Sequence, residues 1–150
     1  MYGAKNKKES SGFTLIELVL VVAMIGIFSA FSFSLGTGFI WRTDLSQAEI
    51  MTVFSLRRAQ VLARANMNDT DWGVHLGNSA LTIFSGNDFD SRDVSFDEEY
   101  DLGSVVVSSI YDISYQKLSG RPYLSSYEIN LTANEETVTV SVNSEGIVNY

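Results

Sequence analysis

Apolar residues are unevenly spread along this 150-residue chain. Residues 1–12 are polar, whereas 13–41 hold 20 apolar residues in 29 positions. Between Phe13 and Ile40 the only charge is Glu17. Wound as a helix, those 28 residues reach about 42 Å, enough to cross a bilayer core. From 44 to about 66 the pattern changes. Leu45, Ala48, Thr52, Ser55 or Leu56, Ala59 and Leu62 recur at three- and four-residue steps, which predicts an amphipathic helix with a narrow stripe of apolar and small residues. Glu49, Arg57, Arg58 and Arg64 lie off that stripe, and Arg57-Arg58 reads as a solvated or subunit-facing side. Asn66-Met67-Asn68-Asp69 ends the helix.

Past Asp69 the period becomes two. Trp72–Leu76 and Leu81–Phe84 flank Gly77-Asn78-Ser79, a hairpin signal. Further alternating runs lie at Ser104–Ser108, Tyr127–Leu131 and Thr137–Val142, and Asn143-Ser144-Glu145-Gly146 turns into Ile147–Tyr150. One polar face per strand predicts antiparallel sheet folded over the helix stripe. The fold class expected is α+β: helix first, strands after. Four segments follow: 1–12, 13–41, 42–68 and a β domain at 69–150.

Charge follows the same divisions. Lys5, Lys7 and Lys8 against Glu9 give residues 1–12 a net of +2; the whole chain is −8, so the remainder carries −10, from seven basic and 17 acidic residues. Such a surface repels phosphate backbones, which argues against nucleic acid as a partner. Lysines ahead of the apolar run place its N-terminal side in the cytoplasm and the β domain outside, with membrane lipid as first partner. Trp41 with Arg42 reads as an interfacial anchor. A secretory signal is the competing reading, with Ala30, Ser32 and Ser34 as a small-residue cut site. The length of the run and the acid within it argue against that. A carboxylate at mid-bilayer costs about 2.5–3.5 kcal/mol, so Glu17 either sits at the headgroup boundary or has a function.

Gly12-Phe13-Thr14-Leu15-Ile16-Glu17, joined to a basic leader and a long apolar helix, resembles the processing motif of type IV pilins and pseudopilins. The resemblance implies cleavage by a prepilin peptidase between Gly12 and Phe13 and methylation of the new Phe13 amine. It implies removal of residues 1–12 as a leader, and retention of the apolar helix, first as membrane anchor and then as filament core. Cleavage leaves an α-ammonium at Phe13 in an apolar layer, and a carboxylate one turn away, on the same or a neighbouring subunit, can neutralise it. Glu17 is thereby assigned to assembly. Gly36 and Gly38 loosen the helix, since Gly costs about 1 kcal/mol against Ala in a helix interior. That stretch is expected to bend or melt as a filament forms, or to act as a hinge at the membrane exit.

Leu56–Arg64, Trp72-Gly73-Val74 and Asn143–Val148 are similar to the GspH/FimT-like minor pilins, which include a minor pseudopilin of type II secretion. That resemblance implies a minor pilin or pseudopilin, with other pilin subunits and an inner-membrane assembly platform as partners. A major pilin of an adhesive or uptake pilus is the alternative. DNA-binding members of the group are expected to carry basic residues near the C-terminus, but residues 122–150 contain no Lys or Arg. From a different class, the rival is an uncleaved membrane-anchored binding domain.

Enzyme chemistry finds little to use. His75 is the single histidine and there is no cysteine, so neither a His-based metal cluster nor a thiolate site can be built. No G-x-S-x-G elbow or Gly-rich phosphate loop occurs. Asp88, Asp90 and Glu99 fall at positions one, three and twelve of a calcium loop, but Arg92 stands at the fifth and Asp93 replaces the turn glycine. A solvated acidic loop is the expectation, and no cofactor is assigned. Asn68-Asp69-Thr70 and Asn130-Leu131-Thr132 match the N-glycosylation pattern, which is frequent by chance.

Overall fold

A computed structural model describes residues 13–109 and 111–150, without the side chains of 31–41 and 111. It gives one long helix, α1 (Leu15–Arg64), and eight strands. Two compact units divide in sequence between Thr37 and Gly38. The backbone is helical through Gly36-Thr37-Gly38. The helix stops at Arg64 because the next turn leaves the right-handed region: Asn66, Asn68 and Asp69 all have positive φ. Asn and Asp tolerate that conformation better than other side-chain-bearing residues. Among the described residues no helix is long and apolar enough to cross a membrane. The side chains of 31–41 in the expected 13–41 span, Trp41 included, lie outside the described residues.

The strands form two four-stranded antiparallel sheets. The first contains β1 (Trp72–Leu76), β2 (Ala80–Ser85), β3 (Glu98–Asp101) and β5 (Tyr111–Tyr115), in the order β3-β2-β1-β5. The second contains β4 (Val106–Val107), β6 (Ser126–Ala133), β7 (Glu136–Asn143) and β8 (Val148–Asn149), in the order β4-β6-β7-β8. The expected β1–β2 hairpin forms with Val74 opposite Ile83. The run expected at Ser104–Ser108 shrinks to the two residues of β4. Strands β3 and β5 were not expected. The acidic composition of Glu98-Glu99-Tyr100-Asp101 hides an edge strand, a position where charge is favoured because it blocks further pairing.

The stripe of α1 meets both sheets. Leu45, Ala48, Thr52, Ser55, Leu56, Ala59 and Ala63 are buried, and Leu62 packs at the margin. Across from them lie Val74, Leu76, Leu81, Ile83 and Ile113 of the first sheet and Ile129, Leu131, Val140 and Val142 of the second. Small residues at 48, 52, 55, 59 and 63 leave room for the branched side chains of the strands.

Gln60 connects three elements. Its Nε2 donates to the carbonyl of Gly120 (3.0 Å) and to that of Glu145 (3.2 Å). It thereby ties α1 to the β5–β6 loop and to the β7–β8 turn. Both loops need glycine there. Gly120 (φ +63°) and Gly146 (φ +78°) occupy the left-handed region, and a Cβ would fall 2.4 Å from Arg64 Cγ and 2.2 Å from Gln60 Nε2 respectively. The Leu118 N–H donates to the Ala63 carbonyl (2.8 Å), which also accepts the Asn66 N–H (3.0 Å) at the helix C-terminus.

Candidate functional site

The N-terminal site is built on the first turn of α1. Thr14 stands directly before the helix as its N-cap. Its Oγ1 accepts from the Glu17 N–H (3.4 Å), and its carbonyl accepts from the N–H groups of Glu17 (3.1 Å) and Leu18 (3.2 Å). Thr-x-x-Glu is the sequence pattern of a capping box. A carboxylate in the first turn also opposes the positive end of the helix dipole. Glu17 therefore has a local role that sequence reasoning did not see, although Thr14 and Glu17 three apart signalled it. Its side chain is exposed, with no partner for the carboxylate among the described residues. Phe13 is 83% exposed and Gly12 lies outside the described residues. Helix thus begins two residues past the Gly12–Phe13 bond.

Every described side chain from Phe13 to Ala30 is exposed. A helix apolar on all sides is at equilibrium only when something other than water covers it. A second apolar line runs along α1 opposite the core stripe. Ile50, Phe54 and Val61 are exposed at 64%, 48% and 61%, at positions i, i+4 and i+11. Arg57 interrupts that line, its guanidinium 5.8 Å from the Tyr150 ring centroid. Sequence reasoning followed only the core stripe, although the same 3.6-residue period contains this one.

The two arginines differ in role. Arg58 is not a free solvated side chain: it forms a bidentate pair with Glu98 of β3 at 2.6 and 2.7 Å. The Arg58 hydrogen bonds hold the Glu98 carboxyl below the usual carboxylate range. Arg42, expected at a membrane interface, pairs with Glu136 at 3.0 Å, both exposed. Such pairs contribute little in high dielectric.

The acidic loop between β2 and β3 does not gather calcium ligands. Asp88 Oδ1 accepts the Asp90 N–H (2.9 Å) within an Asx turn. Glu99 belongs to β3, opposite Thr82, and not to the loop. Among the described residues no three His, Asp or Glu side chains are placed to hold a metal ion. Arg92 organises the loop instead, donating to Asp97 (2.8 and 3.1 Å) and to the Phe89 carbonyl (2.7 Å). His75, read as a structural or surface histidine, has its Nδ1 2.6 Å from Asp112 Oδ1 of the next strand.

A capped helix with exposed apolar side chains from Phe13 to Ala30 and antiparallel sheet over its second half is an α+β, pilin-like arrangement. The family model of the prokaryotic N-terminal methylation motif matches residues 7–33, which span the Gly12–Phe13 bond and Glu17. That match shows the N-terminal methylation motif over 27 of the 150 residues. No curated protein and no solved structure matches the chain.

Proposed function

We propose that the chain is a minor pilin or pseudopilin of a type IV pilus or a type II secretion pseudopilus. Prepilin peptidase removes residues 1–12 and the Phe13 amine is methylated. The chain then waits in the inner membrane as a single-pass protein, N-terminus in the cytoplasm, before joining other subunits through its helix at the assembly platform. Its role is structural, with no catalytic site and no cofactor.

The observation that carries this reading is the coincidence of motif and geometry at one place. The matched motif spans the proposed cut, α1 starts at Leu15, and the Glu17 carboxylate, without a partner among the described residues, stands four residues past Phe13. The lone acid suits assembly better than anchoring. After cleavage, the ammonium of one subunit and the carboxylate of another neutralise each other inside an apolar bundle, and a misregistered subunit leaves both charges unpaired. The outward line of Ile50, Phe54 and Val61 supports the same reading, since exposed apolar side chains on one helix face suit packing against other subunits.

Two variants separate assembly from capping. Glu17→Ala loses the charge, whereas Glu17→Gln keeps the side-chain length and loses only the charge. Both are expected to be cleaved and to partition into membranes, and both to be depleted at least tenfold from the sheared filament fraction. Wild-type incorporation of Glu17→Gln would refute a role for the charge.

A further inference from the structure

Continued through its charged members, the outward line of α1 reads Ile50, Phe54, Arg57, Val61 and Arg64, all exposed. The steps are four, three, four and three residues, the spacing at which one helix presents a seam to another. A groove of about 670 Å³ follows the line, walled by Ile50, Val53, Phe54, Val61, Leu62 and Tyr150. Its walls are held in place. Phe54 packs edge-on against Tyr100 of β3, with ring centroids 6.3 Å apart, and the Arg57 guanidinium lies over the Tyr150 ring. Charge sets this face apart from the rest of the domain. Seven basic residues follow residue 12, against 17 acidic ones. Arg42, Arg58, Arg92, Lys117 and Arg121 each pair with a carboxylate at 2.6–3.0 Å. Arg57 and Arg64 have no carboxylate partner among the described residues, and both fall on the outward line. The negative end of the helix dipole favours Arg64 in the last turn, but Arg57 stands two turns earlier.

We propose that this line is the docking face for an acidic amphipathic helix of a different chain, with Arg57 and Arg64 meeting carboxylates on it. Apolar side chains of the partner fill the groove beside Ile50, Phe54 and Val61. A guanidinium takes a carboxylate through two parallel hydrogen bonds, so each arginine selects an acid at one place along the partner. The apolar contacts supply affinity, while the two charge pairs set register and exclude basic helices. A second copy of this chain does not fit. Pairing two such lines in register, parallel or antiparallel, sets Arg57 against Arg57 inside an apolar seam. Phosphate groups of nucleic acid or lipid fit less well, since residues 13–150 carry a net −10 around those two cations. The inference rests on the reading of this line as a packing face for other subunits, and adds the chemistry of the partner.

The probe is a synthetic three-heptad helical peptide with Leu at the seam positions and Glu opposite Arg57 and Arg64. A matched peptide carries Lys at those two places. Each is titrated, by fluorescence anisotropy, against the full chain held in phosphatidylcholine nanodiscs, with binding to empty nanodiscs subtracted. The Glu peptide should bind about tenfold more tightly than the Lys peptide at low salt, and the preference should shrink as salt is raised. Arg57→Glu should cancel the preference, because each peptide then meets one attractive and one repulsive contact. Ile50→Ser should weaken both peptides and leave their ratio unchanged. Equal binding of the two peptides, or a preference that survives in Arg57→Glu, overturns the proposal. So does tighter binding of duplex DNA or phosphatidylglycerol vesicles than of the Glu peptide, or self-association of the chain that displaces it. The titration needs neither cleavage nor a filament. Equal binding by a chain that cells process to Phe13 therefore fails this inference alone, and a chain that prefers the Glu peptide but is never processed fails the pilin reading alone.

Discussion

Replacing Gln60 by Leu removes two donors while nearly preserving volume, so its effect isolates the tie between α1 and the two loops. Gln60 is buried, and its amide is shared between the carbonyls of Gly120 and Glu145 at 3.0 and 3.2 Å. Each hydrogen bond contributes about 1 kcal/mol net, and the Gly120 carbonyl left buried without its donor adds a desolvation cost of about 1 kcal/mol or more. The extra apolar area of Leu offsets well under 1 kcal/mol, because the long stem of Gln is already packed. The sum is a loss of about 2–3 kcal/mol. For a unit the size of Gly38–Tyr150, that corresponds to a melting point lowered by about 8–15 °C. Thermal unfolding of the full chain in detergent, followed by near-ultraviolet circular dichroism of the buried Trp72, reads it directly. Retention of the apolar helix in the membrane should be unaffected. A shift below 3 °C would mean that the loops hold their places without Gln60, and the account of how helix and sheets are joined would be wrong.

Other outcomes follow from the same structure. Thr52 is fully buried and its hydroxyl has no hydrogen-bond partner among the described residues, so Thr52→Val should raise the melting point by a few degrees, as removal of an unsatisfied buried hydroxyl gains about 1 kcal/mol. The Glu98 carboxyl is held below its ordinary value of 4.5 by Arg58, so the stability it contributes is present above that value and lost as pH falls through its lower folded-state value. Thermal melts at pH 7 and pH 3 should accordingly differ less in Arg58→Met than in the wild type. Calcium at millimolar concentration should leave the melting point unchanged, since Asp88, Asp90 and Glu99 do not converge; a rise of several degrees would contradict that geometry.

How much of this was legible in the sequence depended on whether a residue's role was periodic. The core stripe of α1 and the strands at Trp72–Leu76, Ser126–Ala133 and Glu136–Asn143 follow directly from periods of 3.6 and 2. Strand β5, Tyr-Asp-Ile-Ser-Tyr, alternates just as clearly and could have been found. Strand β3 could not, because its acidic side chains suit a sheet edge and carry no apolar rhythm. The division into two sheets depends on long-range pairing, such as β1 with β5, which no local pattern encodes. The helix runs through Gly36 and Gly38, and the bending or melting expected there belongs to the assembled filament, not to the single chain. At the candidate site, the motif marked Gly12, Phe13 and Glu17, but the capping by Thr14 is a matter of backbone geometry. The surroundings of His75 were equally hidden, because Phe89 and Asp112 reach it from other elements.

The central claim is that this chain is a prepilin, and the mass of its mature form tests that most directly. Full-length protein is made with and without active prepilin peptidase, extracted from membranes and weighed intact, and its N-terminal peptide is sequenced by fragmentation. The account predicts that, with active peptidase, the chain begins at Phe13 and is heavier by one methyl group, on the α-amine. Without peptidase it should begin at or near Met1 and carry no methyl. A chain that still carries residues 1–12 beside a peptidase that is processing a known prepilin in the same cells would contradict the account.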